Sequence, residues 1–392
     1  MQGSGRLTLL MGALAVATIG FAAAGKAETL KWITFKPQAA NDPQAITTQW
    51  FADEFAKRTG GKYKIKIYWG GSVAKIKEIP DALQSGLGDI GDVVTPYFPD
   101  KLFLNNVVGN FIPQPHSPVE LAAKMVEWGS EYKQFDNEMK RYNMKTISWR
   151  PLENYGMICT KPVRTEADLK GLRIRSYGYA LPQLIKALGA TPVSMTTPEA
   201  YDALQRGILD CSPIGVTLAR GWRYDEVAKY FIKLHLGAGW GHLIEMNRKS
   251  YEKLDPQTRS ILDGLGREYI IKYCNVLDEL TQKILAEWKK SGVKVIPFPK
   301  SVIAKASLSE GVQNIRKQWI EKATALGLPG QEIADYFARC AGHQGPFPEQ
   351  LESAICHGGY SAGFSGPVKR LGSNSAVLFL FVSGCWRGIC GT

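Results

Sequence analysis

The sequence predicts an open α/β fold built as two lobes. Strand and helix signals alternate from residue 28 onward, one nine-residue pattern occurs twice about 120 residues apart, and one late helix is too long for a single lobe. The chain has 392 residues, more than one domain usually holds. Its hydrophobic fraction of 45% and charged fraction of 21% permit a packed core and exclude bulk disorder. The net charge of +12 is spread along the chain with no dense Lys/Arg block. That reads as a solvated basic surface, with no nucleic acid as partner.

Arg6 precedes an uncharged stretch, residues 7–25, rich in Leu, Ala and Gly. Gly25, Lys26 and Ala27 follow. This is the layout of a secretory signal peptide, cleaved near Ala27, and it predicts export to the periplasm.

Residues 30–34 read as a strand. Residues 45–59 carry Phe51 and Phe55 on one apolar face and read as a helix closed by Gly60-Gly61. Residues 63–69 alternate as a half-buried strand. Residues 78–85 form a short helix, with Pro80 in its first turn and Gly86 at its end. Residues 90–94 are the next strand. Gly86, Gly88 and Gly91 satisfy GxGxxG, but the order is helix, glycines, strand. Nucleotide binding needs strand, glycines, helix, so the match carries no cofactor.

The repeated pattern is Asp81-Ala82-Leu83-Gln84-Ser85-Gly86-Leu87-Gly88-Asp89 and Asp202-Ala203-Leu204-Gln205-Arg206-Gly207-Ile208-Leu209-Asp210. Each reads as a helix end, a Gly cap and a strand entry. Residues 144–149 and 156–160 read as strands running between the halves. After Asp255, Pro256 opens a helix with apolar residues at helical spacing to Lys290, roughly 50 Å long and able to brace both lobes. Gly264 and Gly266 are a weak point in it. A strand over 293–297 and two further helices lead to Cys340.

The division that follows is a signal peptide over 1–27, a first lobe mainly from 28–150 and a second mainly from 151–250. The long helix and C-terminal helices over 251–340 pack on both. Residues 341–392 are an atypical tail rich in Gly, Ser and Cys, and its apolar run, 376–382, is too short to cross a bilayer.

Cys159, Cys211 and Cys274 are scattered without metal spacing and are expected as buried free thiols. The five histidines, His116, His235, His242, His343 and His357, show no metal-ligand spacing, and His235 and His242 read as structural. No HExxH, GxSxG or Walker loop is present. Catalysis, a metal and a cofactor are therefore not expected. An exported hydrolase and the binding protein of an ATP-driven importer remain as alternatives.

Three blocks carry a resemblance. They are Asp168-Leu169-Lys170-Gly171-Leu172-Arg173-Ile174-Arg175, then Gly189-Ala190-Thr191-Pro192-Val193, then Glu199-Ala200-Tyr201 with Leu204-Gln205, Gly207 and Asp210. In this order and spacing the chain resembles the solute-binding (DctP-type) subunits of tripartite ATP-independent periplasmic (TRAP) transporters, from about residue 28 to about 340. The resemblance implies a two-lobed periplasmic binding protein fold with hinge strands and a long helix bracing both lobes. It implies capture of a small organic acid in the cleft, and delivery to TRAP permease membrane subunits for sodium-gradient-driven uptake.

The resemblance also implies that Arg175 binds the ligand carboxylate. An arginine offers a planar, permanently charged fork to such a group. Strand alternation alone puts Arg173 and Arg175 on the same side, and only the resemblance separates them. The other positions expected around the ligand are Phe35, Thr95, Tyr97, Trp149, Tyr155, Tyr177, Thr197, Ser212 and Ile214. In the sialic-acid-binding branch a second Arg stands at the Tyr155 position and an Asn at the Ile214 position. Cys211 replaces the family's common Gly, and Ser212-Pro213-Ile214 lacks the Glu-Trp pair of keto-acid binders. One Arg among aromatics suits a monocarboxylate with a ring or apolar body.

Overall fold

The computed structural model describes residues 27–238 and 241–338. The signal peptide and the tail, 341–392, lie outside the described residues, apart from Ala27. In chain order the first lobe begins with β1 (Glu28–Ile33), α1 (Pro43–Arg58), β2 (Tyr63–Tyr68), α2 (Ile79–Ser85) and β3 (Ile90–Val93), then α3 (Val107–Asn110), α4 (Pro118–Glu131), α5 (Lys133–Lys140) and β4 (Met144–Arg150). The second follows with β5 (Asn154–Cys159), β6 (Arg173–Ser176), α6 (Ala180–Ala187), β7 (Thr191–Ser194), α7 (Ala200–Gln205), β8 (Cys211–Ile214), α8 (Val216–Gly221), α9 (Tyr224–Val227) and β9 (Tyr230–Ala238). The remainder is β10 (His242–Asn247), α10 (Arg248–Lys253), α11 (Pro256–Ser291), β11 (Lys294–Pro297), α12 (Lys300–Ser307), α13 (Glu310–Ala325) and α14 (Gly330–Ala338). Among the described residues three helices thus follow β11 where two were expected. Ser309 breaks the run between α12 and α13, and Gly327 with Pro329 breaks it before α14.

The strands form two sheets, ordered β2-β1-β3-β10-β4 and β11-β9-β5-β8-β6-β7. The second contains the first's plan. β1 runs parallel to β2 and β3, and β6 runs parallel to β7 and β8. β10 lies antiparallel to β3 and β4, and β5 lies antiparallel to β8 and β9. The segment 151–250, expected mainly in the second lobe, returns β10 to the first sheet. That exchange leaves paired strand ends on either side of the lobe boundary, Arg150 opposite His242 in the first sheet and Asn154 opposite Ala238 in the second.

The repeated nine residues perform the same task in each lobe. Gly86 and Gly207 end their helical turns at φ of 81° and 66°, a left-handed conformation that glycine adopts without strain. Asp89 N–H donates to Lys31 O at 2.9 Å, and its Oδ2 accepts from Lys31 N at 2.8 Å. Asp210 does the same with Arg173, at 2.9 Å in both directions. Each aspartate locks the strand it opens to its parallel neighbour, so β1 matches β6 and β3 matches β8.

Helix α11 is 36 residues long and continuous, roughly 54 Å at the usual rise. Asp255 caps its start by accepting from Thr258 N, and Gly292 ends it in the left-handed region. Leu262, Leu265, Tyr269, Tyr273 and Leu277 enter the apolar cluster under the first sheet. Ile284 and Trp288 enter the cluster of the second lobe. Gly266 is not a weak point. A Cβ there would lie 1.8 Å from Ile147 O, so its lack of a side chain lets β4 pack directly on the helix.

Cys159 and Cys211 form a disulfide, contrary to the expected free thiols, while Cys274 is a buried free thiol. Cys159 ends β5, Cys211 opens β8, and the two are directly opposed in the antiparallel ladder. Cross-strand opposition, 52 residues apart in sequence, brings the sulfurs together.

Candidate functional site

Strand β6 of the second lobe meets the turn after β3 of the first lobe at the lobe boundary. Arg175 is the third residue of β6, and its side chain runs to this boundary with 2% of its surface exposed. Arg173, on the same strand face one pleat earlier, stays at the outer end. Its half-exposed guanidinium grips Asp210. Depth along the strand separates two arginines that alternation leaves equivalent.

Four hydrogen bonds hold the Arg175 guanidinium. Nε donates to Met195 O at 3.2 Å and Nη1 to Pro213 O at 3.4 Å. Nη2 donates to Tyr97 Oη at 2.8 Å and to Thr197 Oγ1 at 2.9 Å. The ring of Tyr177 lies under it, 4.9 Å from the guanidinium carbon. Tyr97 comes from the turn after β3 in the first lobe, so its contact with Arg175 joins the lobes. Tyr224 donates its hydroxyl hydrogen to Thr197 O and fixes that loop from behind. Burial pushes the phenols of Tyr155, Tyr177 and Tyr224 above the ordinary tyrosine value, so they stand as neutral hydroxyls.

Lys36, Arg150 and Arg175 are buried basic side chains with at most 2% exposure. Lys36 pairs with Asp42 at 2.5 Å, and Arg150 pairs with Asp92 at 2.8 Å. Arg175 has no carboxylate within ion-pair distance among the described residues, and its partners are neutral. A buried charge without a counter-charge is costly, so this guanidinium is the one in the cleft that an anion would relieve.

A second set of side chains adjoins it. Phe35 stacks on Trp222 of the other lobe, with centroids 6.2 Å apart, and meets His242 edge-on at 5.6 Å. The Lys36 ammonium sits 4.4 Å over the same Trp222 ring. Arg150 also donates to Tyr269 Oη and Thr48 Oγ1. Burial, then Arg150 and Lys36, hold His242 well below its ordinary value, so it is neutral. Glu153, in the crossing from β4 to β5, accepts from Thr217 N, Thr217 Oγ1 and Leu218 N at the start of α8. Burial pushes its carboxyl up to about 7.

The structure thus brings Tyr97, Tyr177 and Thr197 onto Arg175, and Phe35 onto the lobe boundary. Tyr155 is buried in β5, and Ile214 in β8 faces the second lobe's apolar cluster. Ser212 is fully buried, with its hydroxyl lacking a hydrogen-bond partner among the described residues. Trp149 joins the first lobe's apolar cluster. Thr95 is bound elsewhere, with Oγ1 at 3.3 Å from Asn105 O and Asn106 Oδ1. Lys36, Trp222 and Tyr224 were not legible in advance. A lysine before a proline, an aromatic just past α8 and another opening the four-residue α9 have no periodicity to mark them.

The sequence model of bacterial extracellular solute-binding protein family 7 (DctP) matches residues 36–322, more than half of the chain. The chain belongs to this family. A relative in Escherichia coli K12, the 2,3-diketo-L-gulonate-binding periplasmic protein YiaO, is 25% identical over 264 residues, covering 65% of this chain and 77% of that protein. Two crystal structures share the fold. One is a marine metagenome TRAP solute-binding protein specific for pyroglutamate, with TM-score 0.68 and 21% identity, covering 80% of this chain and 99% of that one. The other is a TRAP periplasmic solute-binding protein from Chromohalobacter salexigens with bound D-glucuronate, with TM-score 0.69 and 20% identity, covering 78% and 99%. This DctP protein is therefore a bacterial extracellular solute-binding protein of family 7, and it shares the fold of the two crystal structures.

Proposed function

We propose that this DctP protein captures a small monocarboxylate, borne on a ring or apolar body, with Arg175 as carboxylate anchor. It works by binding, without catalysis, and hands its cargo to TRAP permease membrane subunits. The uncompensated guanidinium between the lobes carries the reading. Tyr177 and Thr197 frame the anchor, and Phe35 and Trp222 offer apolar walls, with Trp149, Tyr155, Ser212 and Ile214 behind them. Pyroglutamate and D-glucuronate, the ligands of the two structural neighbours, are both carboxylates on rings.

Arg175→Ala removes the charge-assisted partner and is expected to weaken binding by about 2–5 kcal/mol. Calorimetric titration with pyroglutamate and D-glucuronate checks this, and an unchanged Kd sinks the assignment. Export with cleavage after Ala27 belongs to the same proposal. Mass spectrometry of the periplasmic form should find Glu28 as its first residue. A buried disulfide fits an oxidising compartment.

A further inference from the structure

The geometry points to Tyr97 as a resident stand-in for the ligand carboxylate, a phenol oxygen seated on the donors an incoming acid must use. This rests on Arg175 being the carboxylate anchor. A guanidinium has five N–H groups. Four are engaged here: one at Nε, one at Nη1 and both at Nη2. A carboxylate gripped by two parallel N–H bonds needs two, so one existing partner must yield.

Met195 O, Pro213 O and Thr197 Oγ1 belong to the same lobe as Arg175 and move with it. Tyr97 alone among the four comes from the opposite lobe. Lobe opening, which admits a ligand, withdraws Tyr97 and leaves the other three in place.

The surroundings of the phenol oxygen match what one carboxylate oxygen seeks. It accepts from Arg175 Nη2 at 2.8 Å and from Thr197 N at 3.0 Å, and Thr197 Oγ1 lies 3.0 Å away. A charged donor, a backbone N–H and a hydroxyl converge on one point. Both acceptor positions of the phenol are used, and its own hydrogen is left for Thr197 Oγ1. In this seat Tyr97 has no capacity left to hold a ligand. When it withdraws, Arg175 Nη2 and Thr197 N are both freed toward the cleft. Tyr97 thereby closes the lobes without ligand and sets the affinity that an acid must exceed.

The test is Tyr97→Phe in the full exported chain, which keeps the ring on Tyr177 and removes the competing oxygen. Without added acid, small-angle scattering should give a larger radius of gyration than the parent, and an identical radius overturns the proposal. In calorimetry with pyroglutamate and D-glucuronate, the Kd of whichever acid the parent binds should fall about tenfold, the worth of a hydrogen bond to a charged group. An unchanged or raised Kd overturns the proposal, because it makes the hydroxyl a ligand contact or a bystander. The scattering result decides even where neither acid binds. Arg175→Ala run alongside separates the two claims. Retained binding there fails the anchor itself, whereas lost binding there leaves the sign of the Tyr97→Phe effect to judge Tyr97.

Discussion

A side chain's charge in this protein follows from what faces it. Arg173 and Arg175 share a strand face, yet one is a half-exposed ion pair and the other a buried cation among neutral oxygens. Glu245 shows the opposite sign. It is fully buried in β10, where Oε1 accepts from Thr146 Oγ1 at 2.6 Å and Oε2 has no partner among the described residues. Burial pushes its carboxyl up to about 8, as it pushes Glu153 to about 7. A carboxyl held above its ordinary value of 4.5 binds its proton more tightly in the folded state. The stability this contributes is complete below that ordinary value and is lost as pH rises through 7 and 8. The melting temperature should therefore fall between about pH 5 and about pH 9. Glu245→Gln keeps the shape without the charge, so its melting temperature near pH 9 should exceed the parent's. A flat parent profile, or a less stable variant at that pH, contradicts the account.

Among the elements, α11 shows how two glycines of one type differ. A Cβ at Gly264 meets nothing within 4 Å among the described residues, whereas one at Gly266 lands on Ile147 O. Gly264→Ala should stabilise the protein by about 1 kcal/mol through helix propensity. Gly266→Ala should destabilise it by about 1–3 kcal/mol by prising β4 off the helix. Urea denaturation distinguishes them, and equal effects would mean that the helix does not lie on β4 as described. The Cys159–Cys211 bond works at this scale too. Closing a loop of 52 residues stabilises by about 4 kcal/mol in the chain-entropy account, and it ties β8, whose Pro213 O holds Arg175, to β5.

As a whole, the molecule is two copies of one sheet plan joined by crossings and a long helix. Its lobes meet where Tyr97 touches Arg175 and where α8 approaches α1. A Cβ at Gly221 would lie 2.4 Å from Asp42 Oδ2 and 3.6 Å from Lys36 Nζ, both in the other lobe. Gly221→Ala should hold the lobes apart and weaken ligand affinity about tenfold, leaving the ligand-free melting temperature nearly unchanged. Titration beside a thermal melt checks this. A large loss of stability with affinity intact would show that the contact belongs to the fold and not to closure.

What the sequence determined by itself is what short stretches encode. The alternation of strands and helices, the cap at Gly86, the opening of α11 at Pro256, the repeated entry into β3 and β8, and the span of α11 each depend on neighbours a few residues away. The three blocks pointed to Arg175 by resemblance, not by their own chemistry. Only the tertiary structure decided which groups meet: Tyr97 with Arg175 across 78 residues, Cys159 with Cys211 across 52, β10 in the first sheet, and Trp222 under Lys36. Hydrogen bonds and burial between lobes depend on distances through space, and nothing in the local pattern of either partner records the other.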